Sequence, residues 1–249
     1  MPHDHAVQCL HDPMLVILSY LVSVLGSFTA LQLAIAIPAA RGTAQRWRAI
    51  FMAGAVMGGG AIWAMHFIAM LACKMDLPVS YDLTITALSA VIAIASCMVG
   101  LAIAGSGVFG WARLTVAGMF MGLGVTGMHY TGMAAMLMPA SIHYDQTLVL
   151  ASATIAIVAS IVALWLAFNL RGWMQMLGSA LVMGVAVCGM HYTGMQAASF
   201  LPNGNEAQQL GGLDGASLGM TIFAISSALL AGVLALSIVR QRQRALVRI

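Results

Sequence analysis

An all-α membrane protein of seven transmembrane helices is what this sequence predicts. Three observations carry the prediction. Only 7% of the 249 residues are charged, and 61% are hydrophobic. Seven apolar runs each reach the length of about 20 residues that a span needs. The basic residues fall almost wholly on one side of those runs. A soluble domain carries roughly 25% charged residues, so the solvent for most of this surface is lipid.

The spans are expected at residues 14–37, 48–72, 83–104, 112–137, 148–169, 174–200 and 217–239. The chain divides into an extracytoplasmic segment (1–13), a seven-helix membrane domain (14–239) and a basic tail (240–249). Residues 1–12 hold His3, Asp4, His5, His11 and Asp12 but no Lys or Arg. A cleavable signal needs a basic start and a short apolar core, so the first span is read as retained.

Arg41, Arg46 and Arg48 lie beside the second span, Arg113 before the fourth and Arg171 before the sixth. Arg240, Arg242, Arg244 and Arg248 lie in the tail. These nine share one side, and only Lys74 falls on the other. The positive-inside rule then places the N-terminus outside and the C-terminus in the cytoplasm. All seven acidic residues fall outside, in agreement. The tail reads as an anchor on anionic lipid headgroups rather than as a nucleic-acid patch. Cys9 and Cys73 share the outer side, where a disulfide survives; inert thiols are the expectation for them, and no C-x-x-C pair exists.

The second, fourth and sixth spans share a pattern centred on His66, His129 and His191, spaced 63 and 62 residues apart. The unit is one motif helix plus one plainer returning helix, which gives three parallel two-helix repeats with the first span outside them. Gly59, Gly122 and Gly184 stand seven residues before the histidines; Ala69, Gly132 and Gly194 stand three after. Small residues at matched offsets let membrane helices approach closely. The outer loops, including Pro202 to Ala216, read as connectors.

A histidine inside a bilayer is costly and marks function by default. Each here is followed four residues later by a methionine on the same helix face: Met70, Met133 and Met195. Met65, Met128 and Met190 precede the histidines but point about 100° away. Imidazole and thioether together suit copper, and thioether selects Cu(I). Tyr130, Tyr192, Thr131 and Thr193 supply hydroxyls that orient an imidazole or a bound small molecule; they alternate with a plainer reading as interface aromatics and packing. Cys188 is a weaker candidate ligand. His3, His5, His11 and His143 read as ordinary exposed histidines. No carboxylate lies within a span, so neither a hard-cation site nor catalytic acid–base machinery is expected; haem is a less favoured cofactor than copper.

The string MHYTGM occurs at 128–133 and again at 190–195, with MHFIAM at 65–70. In these motifs the chain resembles the MHYT family of bacterial integral membrane sensor domains. The resemblance implies a multi-pass protein of the bacterial inner membrane that senses oxygen, carbon monoxide, nitric oxide or redox state through bound copper. It implies Met128, His129, Tyr130, Met190, His191 and Tyr192 as ligands, with Met65 and His66 in the first motif, where Phe67 and Ile68 depart. Family members often carry a cytoplasmic output domain. Only a short tail follows residue 239, so signalling through a separate cytoplasmic partner is expected. The alternative is a protein of copper uptake, storage or delivery, for which Met52, Met57, Met119, Met121, Met176 and Met183 in the inner half offer a relay.

Overall fold

The computed structural model describes residues 7–107, 110–169, 172–202, 211–228 and 232. His3, His5, the basic tail, residues 203–210 and the inner half of the seventh span lie outside these. The protein is an all-α polytopic membrane protein. Its helices are α1 (Pro13–Ala34), α2 (Thr43–Ala72), α3 (Leu83–Ala104), α4 (Trp111–Ala134), α5 (Gln146–Asn169), α6 (Trp173–Gln196) and α7 (Gly215–Ala228). Among the described residues five are long and apolar enough to cross a membrane: α1, α2, α3, α5 and α6. The 24-residue α4 is as long, but Arg113 and five glycines lower its hydropathy.

Aspartates set the outer starts of the plain helices. Asp12, Asp82, Asp145 and Asp214 each accept a backbone N–H from the first turn that follows. A carboxylate there satisfies an orphan donor and meets the positive end of the helix dipole. At the opposite membrane face, arginines do the complementary work for α3. Arg46 donates to the carbonyl of Ala102 at 3.2 Å, and Arg113 donates to that of Ser106. So the charge asymmetry that orients the chain also caps its helices.

The outer loops are more structured than connectors. Short strands β1 (Leu10–His11), β2 (Cys73–Lys74), β3 (Ser80–Tyr81), β4 (Met136–Leu137), β5 (Ala140–Tyr144), β6 (Ala198–Pro202) and β7 (Leu213–Asp214) cover the outer ends of the bundle. The fourth and sixth spans therefore end at 134 and 196, short of 137 and 200, because the next residues join strands. β1 pairs with β2, β3 with β4 and β5 with β6, all antiparallel. Each pair joins the start of a plain helix to the end of the motif helix after it. The main chain repeats the link: Asp12 N–H donates to Ala72, Asp82 to Ala135 and Asp145 to Ala197. The β1–β2 register also brings Cys9 and Cys73 together as a disulfide, with Cα atoms 5.2 Å apart. The expectation of inert thiols is thereby corrected.

The strand links close the pairs α1–α2, α3–α4 and α5–α6, so α1 takes the place beside α2 that the other plain helices take beside their motif helices. Its Ser19 donates to Val16 as Ser89 donates to Thr86 and Ser152 to Val149, in the three plain helices. The helices pack in the cyclic order α1, α2, α3, α4, α5, α6 and back to α1. The first turns of α7 lie against Leu71 of α2 through Gly215 and Gly219.

A candidate three-histidine metal centre

The close packing of plain on motif helices rests on glycine. A methyl group at Gly122 would fall 2.5 Å from the Cα of Ile157 on α5, and one at Gly58 would fall 2.4 Å from the Ala93 carbonyl oxygen on α3. At Gly184 it would meet Val24 and Tyr20 of α1. Gly58, not the expected Gly59, is thus the counterpart of Gly122 and Gly184. The reason is one extra residue in α2. Residues Val56–Trp63 form a π-helical segment, in which the N–H of Ala64 reaches back five residues to Gly59. A π-bulge absorbs a one-residue insertion inside a helix, so α2 keeps both its inner glycine and its outer histidine in register.

The three histidines meet. His66, His129 and His191 are at most 1% exposed. The Nδ1 of His66 lies 3.0 Å from that of His191 and 3.2 Å from that of His129. The rings stand edge-on to one another with centroids 4.9, 5.0 and 5.2 Å apart. One donor nitrogen from each lies within 4.8 Å of the others. A metal bonded to nitrogen at about 2.0 Å holds tetrahedral ligands about 3.3 Å apart, close to the spacing found. Three lone pairs aimed at one point repel unless a cation or a shared proton lies between them. The donor set therefore fits a metal ion.

Packing holds the outer, Nε2 edges of the rings. The Nε2 atoms of all three have no hydrogen-bond partner. A methyl group at Gly132 would fall 2.3 Å from Nε2 of His66, and one at Gly194 would fall 2.3 Å from Nε2 of His129. The His66 and His129 rings are thus each pressed onto the next motif helix around the bundle. The matching place on α2 is the fully buried Ala69.

The other expected site residues distribute around this centre. Met65, Met70, Met128, Met133, Met190 and Met195 are all buried, at 6% exposure or less. Tyr130 stands edge-on to His129 and shares a hydrogen bond with Ser152 at 2.8 Å. Tyr192 stands edge-on between His191 and the exposed His11. The Thr193 hydroxyl returns to the Gly189 carbonyl of its own helix, and Thr131 is half-buried. In the first motif Phe67 packs against Trp63, whose indole N–H donates to Ser89 at 3.0 Å. Cys188 is half-buried as a free thiol, and His143 is exposed on β5.

Comparison with known proteins gives a threefold repeat in which each unit begins at a motif helix, as the sequence predicts. The family described as "Bacterial signalling protein N terminal repeat", MHYT, matches residues 59–117, 122–180 and 184–249. The chain belongs to the MHYT family. Among MHYT relatives, the bifunctional diguanylate cyclase/cyclic di-GMP phosphodiesterase MucR of Pseudomonas aeruginosa is 40% identical, over 94% of this chain and 35% of the relative. The cyclic di-GMP phosphodiesterase NbdA of the same organism is 36% identical, over 96% of this chain and 31% of the relative. The signaling protein YkoW of Bacillus subtilis is 30% identical, over 78% and 25%. The chain thus spans between a quarter and about a third of the length of these relatives. No solved structure matches it.

Sequence reasoning located the histidines and their depth. It did not single out the aspartate caps or the extra residue in α2. Both left a signal: an aspartate before each plain helix, and a Met-Gly pair nine residues before His66 but eight before His129 and His191.

Proposed function

We propose that this MHYT chain is the sensing unit of a bacterial inner-membrane signalling system, with copper held by His66, His129 and His191 through Nδ1. The observation that carries the reading is the convergence of those three nitrogens in a site with no carboxylate. Imidazole suits copper, and the surrounding buried thioethers favour its reduced state. Bound copper would supply a redox-active centre able to take a diatomic ligand such as oxygen, carbon monoxide or nitric oxide.

The chain's own residues convert a change at that centre into motion. His66 on α2 is seated on Gly132 of α4, and His129 on α4 is seated on Gly194 of α6. With no free space behind Nε2, a ring cannot rotate without displacing the neighbouring helix. A ligand shifts the bundle by as much as it prefers one packing over the other. The names of the relatives point to cyclic di-GMP turnover as the output, through a cytoplasmic partner.

Metal analysis of purified protein tests the reading. Wild type is expected to hold copper that His129→Ala and His191→Ala each lose. Copper retained in full by both variants, or absent from wild type, overturns it. Optical spectra under the three gases then test sensing.

A further inference from the structure

The methionines of the inner half separate in the structure. Met119 is 45% exposed. Met57, Met121 and Met183 are buried and, with Met190, line one cavity of about 30 Å³. Met121 and Met183 stand eight residues before their histidines, roughly 12 Å inward at 1.5 Å per residue. Met57 stands nine before His66, and the π-helical segment takes up the difference. The extra residue would otherwise turn Met57 about 100° away from the bundle axis. The bulge thus brings three thioethers, one from each motif helix, to a common level beneath the histidines.

The cavity is not purely apolar. Ser27 of α1 lines it, is fully buried, and its hydroxyl has no hydrogen-bond partner among the described residues. A buried hydroxyl left unpaired costs about 1–3 kcal/mol, so it points to an occupant with which it can interact. These three thioethers, with Met190 and the Ser27 and Ser160 hydroxyls also on the wall, form a soft, uncharged donor set. Such a set selects Cu(I) among biological metals, and by the same softness Ag(I). A low charge also suits a buried site, since the cost of burying an ion is steep. No imidazole or carboxylate lines the cavity to attract a harder ion.

We propose that Met57, Met121 and Met183 form a second metal site, for a soft monovalent ion, with the Ser27 hydroxyl turned toward it. The site stands whether or not the histidine centre holds copper.

Anaerobic titration of the full chain in detergent with Cu(I), against a competing Cu(I) indicator, tests it. Wild type is expected to bind two ions, and the triple variant Met57→Leu, Met121→Leu, Met183→Leu to bind one. Leucine conserves volume closely; the single variant Met121→Leu, expected to weaken one of the two sites at least tenfold, serves if the triple variant does not fold. X-ray absorption of Ag(I) in His191→Gln is expected to show a sulfur-only shell. One ion in wild type, lost in the leucine variants and kept in His191→Gln, would uphold this site and overturn the histidine centre. Unchanged stoichiometry and affinity in the leucine variants, or a cavity holding only water on Ser27, overturns the proposal.

Discussion

Helices α2 and α6 carry the same motif in the same direction, yet 89% of the best apolar window of α2 is buried, against 33% for α6. Both flank α1, and both place a histidine at the centre. The difference is α7. Its first turns lie on the outer end of α2, with Leu218 and Ile222 at 1% exposure. The first copy carries MHFI where the others carry MHYT, and its Phe67 is fully buried, deeper than the half-buried Tyr130 and Tyr192. The diverged copy is not a decayed one. His66 has the shortest contacts of the triad, to both partners. The lesson is that the first copy buries its aromatic more deeply than the others while all three keep the histidine.

The largest effect should come from deleting Gly60, which returns α2 to a regular helix. The inner half of α2 would turn by about 100°, taking Gly58 off Ala93 and Met57 off its cavity. The variant is expected to fail to yield folded protein by size-exclusion chromatography, whereas deletion of exposed Gly211 is tolerated. Next, Phe67→Ala is expected to cost about 3–5 kcal/mol, as for a large buried aromatic. Tyr192→Ala, at a half-buried ring, should cost clearly less. Equal losses in thermal denaturation would sink the burial comparison.

Gly132→Ala is expected to cost about 1–3 kcal/mol through overpacking on His66 and to lower copper content with it. Ala69→Gly, at the matching place on α2, should cost only about 0.5–1 kcal/mol in helix entropy. Tyr130→Phe removes the bond to Ser152 and makes the second copy resemble the first. A loss of about 1 kcal/mol is expected, measured by unfolding in mixed micelles.

The smallest effect concerns Lys74 and Asp12, 2.9 Å apart on the outer surface. The Lys74 ammonium and the Met14 N–H hold the Asp12 carboxyl below its ordinary range. Its contribution is therefore present above the ordinary carboxylate pKa of about 3.9 and lost as pH falls through the lowered value. In Lys74→Met the acid-side loss should begin at a higher pH, with no resolvable change in melting temperature at neutral pH.

Composition was enough to determine a helical membrane protein, because lipid tolerates a backbone only when it is internally bonded. The repeated string was enough to place three histidines at one depth, because equal spacing along parallel helices is equal depth. The repeat of motif helix and returning helix was legible, and the family match has the same phase. What was not legible is that the β1–β2, β3–β4 and β5–β6 contacts tie each motif helix to the plain helix before it. The disulfide followed from the same strand contact between residues 64 positions apart. Nor could the sequence say that the histidines meet through Nδ1. A ring's direction depends on what it is pressed against, and Gly132 and Gly194 reach it from other helices. Seven spans and a Met-His layer belong to the sequence; how the layer closes, and which methionines gather beneath it, belongs to the packing.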